Sequence, residues 1–368
     1  MISVEVPRRT NFRSGDFGVY VHIPFCSNRC DYCAFATWTG KDDLFESYTN
    51  AVVEEIRVAS VAFPAASSVF FGGGTPSLLP ARLLVSILDR VSRADDCEVT
   101  VECNPDTVTP ELLETYVLHG VDRVSFGVQS MVPHVLASLG RTHDPENVRS
   151  AMAQARAVGL RVNLDLIYGA VGESVDDWRR TVDAVLELDP GHVSAYALTV
   201  EANTPLAADA SRHPDDDDEA EKYTLVDQLL NDSGYANYEI SNWAKPGNES
   251  RHNLLYWAQG EYRGYGCAAH SHTGGRRYWN VRTPERFIER IAEGGSGESA
   301  SERLDPQERR IEGLQLALRT KLGVPVDSFG KDDLASFLEA RLVTVGNERV
   351  VLTTAGRMMA NAVAVRLS

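Results

Sequence analysis

GVYVHIPFCSNRCDYCAF, residues 18–35, carries the reading from which the rest follows. Gly18–Phe25 is an apolar run that reads as a buried strand, stopped by Pro24 and a cysteine loop. The loop spaces Cys26, Cys30 and Cys33 as CxxxCxxC. Cysteine thiolates are the usual protein ligands of iron–sulfur clusters. Three of them on a cluster with four metal corners leave one iron open to a substrate or cofactor. Structural zinc prefers four ligands in two separated pairs, and the only nearby nitrogen is His22. Six cysteines in 368 residues are too sparse for a disulfide framework, so Cys97, Cys103 and Cys267 read as ordinary thiols.

Outward from this loop, strand and helix patterns alternate. Strands are expected at 69–71, 98–102, 121–128, 160–167 and 192–198. Helices are expected at 42–60, 80–92, 109–119, 131–139, 145–158 and 175–186. Six strands alternating with helices predict an α/β fold, a parallel sheet with crossover helices. In barrels of this kind chemistry gathers at the C-terminal ends of the strands. The cysteine loop, Gly72-Gly73-Gly74-Thr75-Pro76, Glu102, Gln129, Asp165 and Tyr196 all fall at that level.

After Val200 the alternation fails. A helix is expected at 219–231, a strand or loop at 235–241, an aromatic Gly-rich stretch to Asn280, and a helix at 284–293. Gly294–Ser301 reads as a linker by composition. The tail has the order of a winged helix, but residues 301–368 hold ten Lys/Arg against nine Asp/Glu. That balance supplies no footprint for DNA, so a packing or lid module is expected. The net charge of −16 also argues against a phosphate backbone or an anionic membrane as a general partner. The acidic run Asp215–Asp218 reads as a solvated helix start. Met1–Gly18 lacks a signal-peptide apolar region and no run is long enough to span a bilayer, so a cytoplasmic location without a transmembrane segment is expected.

With HIPFCSNRCDYCAF, VFFGGGTPSLL, ECNPDT, RVSFGVQSM, LGRTH, NLDLIYG and YEISNWAKPG in this order, the chain resembles the radical S-adenosylmethionine (SAM) superfamily. Within it, the chain is similar to the oxygen-independent coproporphyrinogen III oxidase-like group. The resemblance implies a partial (β/α)6 barrel with a C-terminal winged-helix-like module. Its expected segments are a radical SAM core at 1–215, a tetrapyrrole-associated segment at 216–293 and a C-terminal domain at 301–368.

It also implies that Cys26, Cys30 and Cys33 hold a [4Fe–4S] cluster. Tyr20, Gly73, Gly74, Thr75, Glu102, Gln129, Arg141 and Asp165 are implied SAM contacts. Glycine at 73 and 74 suits a close backbone approach, and Arg suits a carboxylate. The group has an oxidase branch and a heme chaperone branch. The oxidase carries a further cysteine where this chain has Phe35, and a longer N-terminal extension than the 25 residues before Cys26. His252-Asn253-Leu254-Leu255-Tyr256-Trp257 matches an HNxxYW motif that the resemblance associates with heme. His252 is the implied axial ligand, and Tyr256 and Trp257 the stacking residues; the alternative is a packing motif with His252 hydrogen-bonded. His270 and His272 are reserve ligands. The expected function is a heme chaperone with heme and apo-hemoproteins as partners, possibly met at the inner membrane. The competing reading is an enzyme, the radical SAM oxidative decarboxylation of coproporphyrinogen III. The sequence leaves the enzyme question and the oligomeric state open.

Overall fold

A computed structural model describes residues 15–59, 62–141 and 144–368. Thr142 and His143 of the LGRTH motif, Ser60 of the first expected helix and the start of the first expected segment lie outside the described residues.

Six parallel strands run in sequence order through one sheet: β1 (Phe17–Ile23), β2 (Ala66–Gly73), β3 (Arg93–Cys103), β4 (Arg123–Gln129), β5 (Arg161–Tyr168) and β6 (His192–Ala197). Helices α1 (Phe45–Ala59), α2 (Ala81–Leu88), α3 (Pro110–Leu118), α4 (Pro133–Ser138), α5 (Pro145–Ala157) and α6 (Val175–Leu188) provide the crossovers. Val21, Val69, Phe71, Val99, Val101, Val124 and Phe126 form one face of these strands and are at most 1% exposed. These are every second residue of their strands, the positions that share one face of a sheet. Truncating such a side chain to Ala costs about 2–5 kcal/mol. The other face carries smaller and polar residues: Gly18, Tyr20, His22, Ser68, Gly72, Glu102, Ser125 and Asp165.

The sheet continues past both ends of this ladder. Beyond β6 come β8 (Asn242–Ala244) and β7 (Ala236–Glu239), both antiparallel, with α7 (Asp216–Asp232) packed on α6. Beyond β1 comes β9 (Glu261–Tyr265), which pairs with it in parallel, followed by β10 (His270–Thr273), β11 (Arg276–Asn280) and β12 (Glu298–Arg303). The short helix α8 (Arg251–Trp257) lies against the interior face of β1 and β2. One expectation fails here. The aromatic stretch to Asn280, left without elements in the sequence reading, holds α8 and the strands β9, β10 and β11. The Gly/Ser-rich run at 294–301 does not stay a linker: from Glu298 it pairs with β11, and Arg276 and Arg290 fasten Glu298 through its carboxylate and carbonyl.

The C-terminal part has helix α10 (Pro306–Leu318), strand β13 (Val324–Pro325), helix α11 (Lys331–Glu339) and the hairpin β14 (Val343–Gly346)–β15 (Arg349–Leu352), followed by two short helical turns to Ala364. Its three strands form a separate sheet over a small apolar core. Asp227 of α7 ties it to the rest: its carboxylate accepts from Trp243 Nε1 at 2.9 Å, Thr354 Oγ1 at 2.8 Å and Arg357 Nη2 at 2.6 Å. Among the described residues no helix is long and apolar enough to cross a membrane.

Candidate functional site

The cysteine loop leaves β1 as a pinned excursion. Trp38 N donates to Pro24 O at 2.7 Å and Cys26 N to Trp38 O at 3.0 Å, closing its base. Gly74 N donates to Ile23 O at 2.8 Å and Thr75 N to Phe25 O at 2.7 Å, tying the loop to the glycine turn. His22, buried, bonds Ala36 O through Nε2 at 2.9 Å and Tyr20 Oη through Nδ1 at 3.0 Å. The glycines therefore serve the protein's own packing first. A Cβ on Gly74 would sit 2.5 Å from Phe25 O and 3.0 Å from Cys26 Sγ. Gly73 has φ +111°, and a Cβ there would meet the His22 ring at 2.4 Å. The amides of Gly73, Gly74 and Thr75 are already spent, on Glu102, Ile23 and Phe25. What the turn can offer a ligand is carbonyl oxygen.

A cavity of about 470 Å³ opens at the C-terminal ends of the strands. Cys26, Cys30 and Cys33 line it together with Gly73, Gly74, Thr75, Glu102, Gln129, Arg141 and Asp165. Ten of the residues expected for the cluster and SAM thus share one space. All three thiols are free and half-buried. Thr75 Oγ1 lies 3.7 Å from Cys26 Sγ, and Arg141 Nη1 donates to Cys30 Sγ at 3.5 Å while its Nη2 donates to Gly127 O at 2.7 Å. Burial raises the Cys26 and Cys33 thiols above their ordinary range. Three free thiols lining one cavity are the ligand type of an iron–sulfur cluster.

The opposite wall is polar and built by strand ends. Gln129 has φ +62° at a bulge between β4 and β5, a conformation that non-glycine residues hold only where the surroundings impose it. Asp165 accepts from Ser125 Oγ at 2.5 Å and Asn163 Nδ2 at 2.8 Å, and Asn163 Oδ1 in turn meets His192 Nδ1 at 2.5 Å. Glu102 is pushed up to about 8 by burial and by repulsion from Asp165, against the Gly73 amide. A carboxyl whose pKa rises on folding favours the folded state while protonated and costs it stability as pH climbs toward the folded value. Glu102→Gln should therefore melt above wild type at about pH 8.5, by an equivalent on the order of 2 kcal/mol, with the gap closing toward pH 5. A gap that does not change with pH in melts of the apoprotein would remove Glu102 as the buried acid.

A second cavity of about 630 Å³ adjoins the first and shares Ala34, Phe35, Gly73 and Glu102 with it. Tyr20 opens on this second cavity rather than on the first. So do Tyr256, Tyr262, His270, Trp279 and Arg282. Sequence reasoning passed over Tyr262, Trp279 and Arg282. The signal was the two-residue alternation of β9 to β11, hidden in polar strands such as His270–Thr273.

The HNxxYW residues do not gather as expected. His252 is 1% exposed and lines neither cavity. Its Nδ1 meets Ser68 Oγ at 2.9 Å, its Nε2 meets Tyr256 Oη at 2.8 Å, and its ring stacks on Phe70. Burial lowers it to about 3, so it stays neutral. With both nitrogens engaged by hydroxyl groups of the protein, His252 in this arrangement has the geometry of the packing alternative. Trp257 turns its indole to the Glu239 carboxylate, away from both cavities. Only Tyr256 reaches the cavity wall. His272 is buried, with Nδ1 at 3.0 Å from Gly260 O.

A six-strand parallel core with three cysteines after its first strand defines a class: residues 20–185 match the radical SAM superfamily. The chain is 40% identical to the heme chaperone HemW of Mycobacterium tuberculosis, covering 98% of this chain and 97% of that one. It is 33% identical to HemW of Bacillus subtilis over 94% and 97%. The chain belongs to the HemW family. Its fold matches the coproporphyrinogen III oxidase HemN of Escherichia coli with a TM-score of 0.83 at 21% identity, over 98% and 91% of the two chains. As a radical SAM protein it takes a [4Fe–4S] cluster and SAM. The first cavity fits them: three thiols for the cluster, and Glu102, Asp165 and Arg141 as charged partners for an amino acid and a ribose.

Proposed function

We propose that this chain is a heme chaperone that binds heme and hands it to apo-hemoproteins. The near full-length similarity to HemW chains carries the reading. Phe35, where the oxidase branch is expected to have a further cysteine, supports it. Cys26, Cys30 and Cys33 hold the cluster in this reading, and the cluster with SAM supplies redox-active iron and an adenosyl group when bound. The chain's own residues orient them. Arg141, fixed by Gly127 O, brings positive charge to Cys30 and to the SAM carboxylate. Asp165, held by Ser125 and Asn163, and Gln129, held in its bulge, would take the ribose hydroxyls of SAM. Glu102 and the carbonyls of Gly73 and Gly74 would take its ammonium, with Thr75 beside Cys26. Tyr20 supports this arrangement from the second cavity through His22.

Cytoplasmic placement, with receiving hemoproteins met at the inner membrane, belongs to the same reading. So does the division of labour between segments 1–215, 216–293 and 301–368, the last beginning in effect at α10. The test is anaerobic reconstitution followed by two assays on one sample. Heme should bind, and coproporphyrinogen III should be left unconverted. Decarboxylation in step with 5′-deoxyadenosine release would replace the chaperone reading with the oxidase one.

A further inference from the structure

We propose that heme sits in the second cavity with the imidazole of His270 as its axial ligand. The inference rests on the heme chaperone reading and names the site of its cargo. The cavity's volume of about 630 Å³ lies within the range of small-molecule sites. Its walls suit a porphyrin: Phe35, Tyr262 and Trp279 are aromatic, and Arg282 offers a guanidinium to a propionate.

His270 is the histidine of this region with nitrogens to give. Its side chain is exposed to the cavity, and among the described residues neither ring nitrogen has a hydrogen-bond partner. The three other histidines nearby, His22, His252 and His272, are buried and bonded. His270 is also oriented. It pairs across strands with Trp279, and the two rings stack at 5.5 Å with 23° between their planes.

Phe35 supplies an independent observation. A phenyl ring 68% exposed is an unfavourable way to leave an aromatic side chain, and this one stands on the rim common to both cavities. A porphyrin face would cover it. In this arrangement His252 is a positioning residue. It holds the Tyr256 hydroxyl, which reaches the cavity wall.

Hemin titration of the full reconstituted chain tests this. Wild type should bind with the Soret band of an imidazole-ligated heme. His270→Ala should shift that band and weaken binding by about 100-fold or more, beyond the roughly 10- to 100-fold that losses around a metal ligand typically cost. Added imidazole should restore the wild-type spectrum, which a merely structural role for His270 would not allow. Iron content equal to wild type shows that the variant still folds. An unchanged band and affinity in His270→Ala would overturn the proposal while leaving the chaperone reading intact. Loss of the imidazole signature in His252→Ala alone, with His270→Ala normal, would overturn it as well. Failure of wild type to bind hemin at all would instead sink the chaperone reading.

Discussion

Replacing any one of Cys26, Cys30 and Cys33 with Ala takes the reconstituted chain from about four irons to almost none, with loss of the visible thiolate-to-iron absorption. The argument is geometric. The three thiols share one wall of one cavity, and the loop between them is fastened at Trp38, Ile23, Phe25 and Ala36. A cluster lacking a corner ligand has no substitute close by. Cys267 is buried against the Tyr48 hydroxyl, and Cys97 faces its neighbouring carbonyl. Cys103 lines the cavity but points its thiol at Val101 O. Ala at these three positions should keep the iron. Iron loss in well-folded Cys103→Ala would show a fourth ligand and close the open corner on which SAM binding depends.

Gly74→Val should abolish SAM binding and cluster assembly together. A glycine serving only a close approach to SAM would give a cleaner outcome, a block to SAM with the cluster spared. The structure removes that separation, because a Cβ at Gly74 meets the carbonyl oxygens of Phe25 and Ile23 and the sulfur of Cys26. Backbone oxygens cannot swing aside, so the loop that carries the cysteines must move. Overpacking of this kind costs about 1–3 kcal/mol even where the surroundings give. Gly74→Ala should show the same double loss in milder form. Iron analysis and SAM titration on the same preparation check it. A Gly74→Val chain with full iron and no SAM would return the glycine to the role of ligand cradle.

What the sequence disclosed follows from where each signal lives. The six core strands were legible because β-branched and aromatic residues recur at every second position, as in Val19–Ile23 or Val124–Phe126. The first cavity was legible because loops after successive strands meet at one level, so Cys26, Glu102, Gln129 and Asp165 could be placed together without any contact being known. The rest depended on distant partners. His252 looks like a ligand until Ser68, 184 residues earlier, takes one nitrogen. Strand β10 is polar at every position and pairs with β9 and β11, so it left no apolar trace. Gly294–Ser301 has the composition of a linker, and from Glu298 onward it is strand, with Arg276 and Arg290 holding Glu298. The winged-helix order of the tail was visible, whereas the Asp227 clamp that docks it joins residues 130 apart.

The wall shared by the two cavities makes their occupants thermodynamic neighbours. Residues Ala34 and Phe35 and the carboxylate of Glu102 face both spaces. Whatever free energy the cluster and SAM spend in ordering that strip is free energy that a guest on the other side no longer has to supply. The debt runs equally in reverse, since coupling between two binding events is reciprocal. With heme in the second cavity as proposed, a chain stripped of its iron would be a carrier with an altered grip on its cargo.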